Sequence, residues 1–282
     1  LTPDPRFQKQ PRDFWAYVRL LGQEIGYSER AANRIKVPTL EEVGDCIRRL
    51  DLRTDRLQTL SGRVTGFGSN LLTYFDFRAG VLNRIVEPLL MEPREAKRQF
   101  NSLRTRLKPK CPIPMNKQKG KKRQPAYLTS IINMLIEANA EGFPCDYDPR
   151  ELTVVTRNAS PVRTLARRVD GAFPSAINPI AVWEIKEYYY TTTFGSRVAD
   201  GVYETLLDGM ELEELRSSEG VHVRHYLMVD ARYTWWDCGK SYLCRLIDML
   251  HMGYVDEILF GREVIERMPV LVKEWVAAAK RR

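Results

Sequence analysis

The chain is expected to fold as an α/β protein, one mixed sheet with helices on both faces, with a mainly helical N-terminal region. Three observations lead there. Residues 12 to 104 carry apolar side chains at helical spacings, and residues 126 to 232 interleave helical stretches with β-rich runs. Between them, residues 104 to 125 hold too much proline and charge for either regular element. The expected division is therefore 1–103 as a helical region, 104–125 as a basic linker or loop, and 126–282 as an α/β domain. At 282 residues, with 44% hydrophobic and 28% charged residues, the chain is long enough to bury a substantial core.

In the first region, "PTLEEVGDCIRRL" opens with Thr39 as an N-cap and Glu42 three residues later, the spacing of a capping box. Val43, Ile47 and Leu50 then recur at helical intervals. "SNLLTYFDFRAGVLNRIVEPLL" reads as another helix, which Pro88 ends or kinks. "EPREAKRQFNSLRTRL" reads as a further helix, exposed and strongly charged.

The basic segment has nine Lys and Arg between Arg104 and Arg123 and no acidic residue among them. Its four prolines and Gly120 rule against a long helix or strand. Two readings stand: a solvated linker between two halves, or a loop whose cations meet phosphates and release counterions.

Beyond it, "YLTSIINMLIEANA" places Leu128, Ile131, Ile132 and Leu135 on one helical stripe. "ELTVVTR", "RRVDGAF" and "IAVWEIKEYYY" read as three strands. "SRVADGVYETLLDGMELEEL" follows as an amphipathic helix with Val198, Val202, Leu206 and Met210 inward. "VRHYLMVDARY" is a central strand covered on both faces. "KSYLCRLIDMLHMG" closes as a helix stopped at Gly253. Trp235 and Trp236 of "YTWWD" form a core or interface cluster, although on a strand both cannot face inward.

Composition narrows the function. Forty-four Lys and Arg against 36 Asp and Glu give a net charge of +8, which attracts polyanions. No run of about 18 apolar residues occurs, so no membrane span is expected, and "LTPDPRFQKQPRDF" lacks a signal-peptide layout. The cysteines (46, 111, 145, 238, 244) form no CxxC pair, which argues against a disulfide framework or zinc knuckle and for a reducing, cytoplasmic setting. "CGKS" at 238–241 resembles a phosphate loop but has Thr234 where that motif needs Gly. His222 and His225 have HxxH spacing, yet three residues along a strand put them on opposite faces. No GxSxG nucleophile elbow is present.

One constellation remains. On a strand, Val182, Glu184 and Lys186 share one face while Trp183 and Ile185 take the other. Residues two apart lie roughly 6.5–7 Å from each other, so Glu184 and Lys186 can approach one small target. If the strand carrying Asp170 pairs with theirs, the two carboxylates converge across the ladder. Hard oxygens with positions left for water and phosphate suit Mg²⁺. The alternative is an exposed hairpin with a cross-strand salt bridge of little consequence. The triplet alone decides nothing, because "EAK" at 95–97 repeats it within a charged helical stretch.

With Asp170 on one strand and Glu184-Ile185-Lys186 on the next, the chain resembles the PD-(D/E)xK nuclease superfamily, the fold of most type II restriction endonucleases. The order helix, three strands, helix, strand over 126–232 resembles that family's core. Val169 stands where the family often has Pro, and Glu137, the candidate for its helix-borne acid, falls opposite the apolar stripe. Glu187 is a weak candidate on the Ile185 face.

The resemblance implies a restriction-endonuclease-like core and Mg²⁺-dependent cleavage of double-stranded DNA at a specific site, leaving 5′-phosphate and 3′-hydroxyl ends, with 126–282 as the catalytic domain and 1–103 serving DNA recognition or dimerisation. Asp170, Glu184 and the Ile185 carbonyl would hold the metal, and Lys186 would assist the attacking water. Lys117, Lys119, Lys121, Lys122, Arg123, Tyr188 and Arg197 are the candidate DNA contacts. Cutting two strands with one site per chain implies a homodimer, or a subunit of a heterodimeric cutter. The rivals are a catalytically silent DNA-binding or scaffold protein of the same fold, and a nuclease acting on branched DNA or RNA.

Overall fold

The capping-box spacing at residue 39 has its counterpart in a computed structural model of the protein, which describes residues 1–59, 61–120, 123–190 and 195–282. Glu42 N–H donates to Thr39 Oγ1 at 3.2 Å and Thr39 N–H to Glu42 Oε2 at 2.9 Å, starting α2. The N-terminal region runs α1 (Arg12–Ile25), a short hairpin of β1 (Ser28–Glu29) and β2 (Arg34–Ile35), α2 (Leu40–Arg49) and α3 (Gly66–Val81). Phe7, Phe14, Trp15, Leu71, Tyr74 and Phe75 build its own buried cluster. After α3 the chain widens into a π-helical turn at Leu82–Val86, and α4 (Glu87–Leu89) ends one residue after Pro88.

α5 (Pro93–Leu107) and α6 (Tyr127–Asn139) follow, joined by the basic segment. α6 is buried nearly all round, beyond the single stripe expected, because α5 and α9 cover it on the sides away from the sheet. Then come β3 (Asp146–Tyr147), β4 (Val154–Arg157), β5 (Ser160–Thr164), β6 (Gly171–Phe173) and β7 (Ala181–Lys186). α7 (Ser196–Glu219), β8 (Arg224–Val229), a π-helical turn at Tyr233–Cys238, α8 (Lys240–His251), β9 (Glu257–Phe260) and α9 (Glu263–Ala279) complete the chain.

The central sheet is mixed, in the order β3-β6-β7-β8-β9. β3–β6 and β6–β7 are antiparallel, while β7–β8 and β8–β9 are parallel. α5, α6 and α9 pack one face around Phe173, Trp183, Tyr226 and Trp275. α7, α8 and the tryptophans 235 and 236 pack the other. The α/β expectation of one mixed sheet between helices therefore holds.

Four details differ from expectation. "ELTVVTR" forms β4, but it pairs with β5 in a separate hairpin, and the two-residue β3 takes the sheet edge. The strand expected over "RRVDGAF" begins only at Gly171, and that over "IAVWEIKEYYY" stops at Lys186. Trp235 and Trp236 are both fully buried because a wide helical turn, not a strand, carries them. Met210 is 51% exposed. Residues four apart drift by about 40° per step around a helix, so after three steps Met210 has left the inner stripe. Thr205, Asp208, Leu212 and Leu215 occupy it instead.

The N-terminal helices are tied to the sheet layer through a buried ion pair. Arg78 of α3 places Nη1 2.9 and 3.0 Å from the two carboxylate oxygens of Asp248 on α8, and Tyr74 Oη donates to Asp248 Oδ1 at 2.6 Å. Both charged side chains are almost wholly removed from water. Removing one partner would strand the other charge, so Asp248→Ala is expected to cost ~3–5 kcal/mol in urea unfolding. The apolar double substitution Arg78→Met with Asp248→Leu should recover most of that loss.

Candidate functional site

Register decides what the β6–β7 hairpin presents. Gly171 lies opposite Trp183 and Ala172 opposite Val182, so Asp170, one residue before β6, falls opposite Glu184. Asp170 N–H donates to the Trp183 carbonyl at 3.1 Å, extending the ladder by one rung. The Asp170 carboxylate in turn accepts the Ile185 N–H at 2.7 Å, which aims it along the strand. Gly171 is required there: a Cβ on it would lie 2.1 Å from the Trp183 ring. That ring stacks on Trp275 with centroids 5.4 Å apart and cannot give way freely. Alternation then puts Glu184 and Lys186 together on the α7 face, as expected, with Trp183 and Ile185 on the other.

On that face the expected residues meet three that the sequence did not single out. Lys186 Nζ lies 2.7 Å from Glu184 Oε2 and 3.2 Å from Glu204 Oε2 of α7. Arg167 Nη1 lies 2.9 Å from Glu184 Oε1 and 2.5 Å from Asp208 Oδ2, and its Nη2 lies 3.4 Å from Glu204. Asp208 is fully buried, and its Oδ1 has no hydrogen-bond partner. Gly201 lets α7 pass close to this group: a Cβ there would come within 3.1 and 3.3 Å of Lys186 Cδ and Cε and 2.9 Å of Tyr188 Oη.

The cluster holds four carboxylates, Asp170, Glu184, Glu204 and Asp208, against two cations, Arg167 and Lys186. Burial and that imbalance together set the protonation. Asp170 is exposed as a residue, yet protein crowds solvent from its carboxyl; that loss first, and the Glu184 charge second, raise its pKa to about 6. Burial and then Glu184 raise Asp208 to about 7. Burial also opposes charge on Glu184, but Lys186 and Arg167 outweigh it and hold Glu184 below the usual carboxylate value. For Lys186, burial is likewise outweighed by Glu184 and Asp170, so its ammonium stays charged. Lys186 is thus a hydrogen-bond donor and not a base.

The donor chemistry fits a magnesium ion on two carboxylates. Asp170 and Glu184 supply hard oxygens on neighbouring strands, and negative charge is in excess around them. Among the described residues no group of three or more His, Cys, Asp or Glu is placed to hold an ion. Two carboxylates with the rest of the shell left to water and phosphate is the Mg²⁺ pattern, whereas a full protein cage is not. The condition is at Glu184, whose oxygens are both in ion pairs. Arg167 pairs with Asp208 and Glu204 as well, so an ion on Glu184 would have to displace it only from Oε1.

The other sequence candidates are dispersed. Glu137 accepts the Lys110 N–H at 2.9 and 3.2 Å near the end of α6. Glu187 turns to the opposite side of the sheet, where it accepts the Thr129 N–H and hydroxyl, both at 2.9 Å, at the start of α6. Burial lifts its pKa to about 7. Tyr188 packs on Trp235 and donates to the Arg197 carbonyl at 3.1 Å, and Arg197 itself is exposed. The strand has ended before Tyr190, which packs beside Tyr127. Lys117, Lys119 and Arg123 are exposed on the basic segment, and Lys121 and Lys122 lie outside the described residues. His222 pairs with Asp256 at the surface while His225 is buried, so the two form no metal clip. Lys240 opens α8, as expected, with its Nζ on the Trp236 carbonyl at 2.6 Å. The five cysteines are free, and no helix among the described residues is long and apolar enough to cross a membrane.

An α/β chain with a polar cluster at its hairpin mouth is the class this geometry defines. Residues 91–275, the greater part of the chain, match a family described as Domain of unknown function (DUF7687), and the chain belongs to that family. Residues 1–85 match a second, described as Domain of unknown function (DUF7690). No curated protein and no solved structure matches the chain.

Two outcomes test this geometry. Gly171→Ala should destabilise the fold by ~1–3 kcal/mol in urea unfolding, since the Trp183 ring must move. Asp170→Asn, compared with wild type in EDTA, tests the charge imbalance. A carboxyl whose folded pKa is raised to about 6 costs stability as pH climbs from about 4 through 6. The Asn variant should therefore melt slightly higher than wild type at pH 8, with the gap closing near pH 4; solvent screening keeps it small.

Proposed function

We propose that the protein is a Mg²⁺-dependent endonuclease of the PD-(D/E)xK type that hydrolyses phosphodiester bonds in double-stranded DNA at a specific site. Such a type II restriction enzyme leaves 5′-phosphate and 3′-hydroxyl ends. The observation that carries the reading is the hairpin register that sets Asp170 opposite Glu184, with Lys186 next along the same face. An antiparallel β3-β6-β7 meander with β8 parallel to β7, and α7 crossing between them, agrees with the restriction-endonuclease-like core.

In this reading Asp170 and Glu184, with the Ile185 carbonyl, hold the ion. The bound ion would polarise the scissile phosphate and lower the pKa of the attacking water. Lys186, charged and held by Glu184 and Glu204, donates to that water or to the oxygen gaining charge in the transition state. Gly201 and α7 fix its reach. Arg167 keeps Glu184 ionised before substrate arrives. The exposed Lys117, Lys119 and Arg123 would meet phosphates, and a homodimer would cut both strands.

A second reading rests on one observation: both Glu184 oxygens are already in ion pairs, as in a protein that keeps the fold and has lost the chemistry. Such a chain would bind DNA without cutting it.

Incubating supercoiled plasmid with the protein and Mg²⁺ decides between them. Discrete fragments are expected from wild type, with activity down by ~10²-fold or more in both Glu184→Ala and Lys186→Ala. Cleavage unchanged in both variants would remove the site assignment. Plasmid binding without cleavage in Mg²⁺ or Mn²⁺ would establish the silent protein.

A further inference from the structure

We infer that the outer face of α5 is a docking surface for the phosphate backbone of duplex DNA. The sequence carries 36 Asp and Glu in 282 residues, yet none lies between Glu95 and Glu137. Over α5 the helical angle sorts what remains. At 100° per residue, Arg94, Lys97, Arg98, Arg104 and the C-cap Lys108 fall within an arc of about 120°. Asn101 and Thr105 share it, and all seven side chains are exposed. Ala96, Phe100 and Leu103 point the other way into the core. None of these five cations forms an ion pair among the described residues, although many of the protein's other arginines do. Glu95, the acid nearest in sequence, is held by Arg262 at 3.3 Å.

Size and composition select the partner. Arg94 to Lys108 spans about 21 Å of helix, roughly six base pairs of axial rise in a duplex. A membrane-seated helix would set large apolar residues beside its cations, and here they are buried in the protein. Single strands are held by exposed aromatic rings, and the one ring of α5, Phe100, is 2% exposed.

Position links the surface to the candidate site. α5 starts just after Met91, which bridges to Ala231 beyond the end of β8. There Asp230 accepts the Tyr188 N–H, two residues past Lys186. The basic segment returns to the same end of the sheet, where the head of α6 holds Glu187. The stripe therefore leads away from the end of β7 that carries Lys186.

This inference rests on the choice of duplex DNA made above, but not on cleavage. It is tested with full-length Glu184→Ala protein in EDTA, by fluorescence anisotropy on a labelled mixed-sequence duplex across a salt series. Replacing Arg94, Lys97, Arg98 and Arg104 together by Gln should weaken binding at least tenfold and flatten the log K against log salt slope by ~3. Arg12→Gln with Arg63→Gln, exposed cations elsewhere, should leave both unchanged, and thermal melting of all proteins should coincide. An unchanged slope would overturn the inference, as would a stripe-dependent affinity for anionic phospholipid vesicles but not for duplex. Wild-type protein that binds in this way and never cuts would sink the nuclease reading alone.

Discussion

Everything at the candidate site depends on the register of one hairpin. Because side chains alternate along a strand, a slip of one residue between β6 and β7 would separate Asp170 from Glu184. What pins the register is on the opposite face. Gly171 leaves the space that the Trp183 ring fills, and Trp275 closes over that ring from α9. An apolar contact on the buried side thus sets the distance between two acids on the other. The arrangement also explains why Asp170 needs no strand of its own, since a single rung beyond β6 suffices to turn its carboxyl onto the Ile185 N–H.

The second constraint is charge. Strand ends buried under a helix normally carry apolar side chains, and α7 instead brings Glu204 and Asp208 down onto Glu184 and Lys186. Two cations against four carboxylates leave the cluster short of positive charge, and burial first, then the Glu184 charge, makes Asp170 and Asp208 hold protons more tightly. A purely structural salt bridge would be better served by matched charges. A deficit of this sign, with Asp170 and Glu204 reaching solvent, would suit the external cation of the proposed reading.

Part of this was legible in the sequence. The capping box at Thr39, the helices around 93–107, 127–139, 196–219 and 240–251, and the alternation along 181–186 all follow from local spacing. The pairing of Asp170 with Glu184 followed only on the condition that their strands form a hairpin, because the seven residues between β6 and β7 leave its register open. Arg167, Glu204 and Asp208 were not legible. Arg167 sits among arginines of the kind that cover surfaces, and nothing local indicates that it folds back over the sheet. Glu204 and Asp208 are four apart on a helix with many acids, and only tertiary packing shows them turned inward. One signal was available: Gly201, Thr205, Asp208 and Gly209 are small or polar residues on the stripe where a wholly apolar face was expected. The strand at 257–260 escaped because four buried residues resemble a helix turn as readily as a strand.

The fold also explains why acid cluster and basic surface do not cancel each other. The carboxylates lie on the α7 face of β6 and β7, whereas α5 and the basic segment pack with α6 on the far face. The sheet separates them along most of its breadth. They approach only at the end where β7 and β8 finish, and there Glu187 and Asp230 are consumed by backbone N–H groups of Thr129 and Tyr188. Acids that would neutralise the basic face are thus spent on holding helix and strand ends. A polyanion drawn along α5 would meet cations until it reached the end of β7, where Lys186 and a partly exposed carboxylate stand together. In the proposed reading, opposite charges kept apart by a sheet and joined at one edge would give a duplex both a track and a terminus.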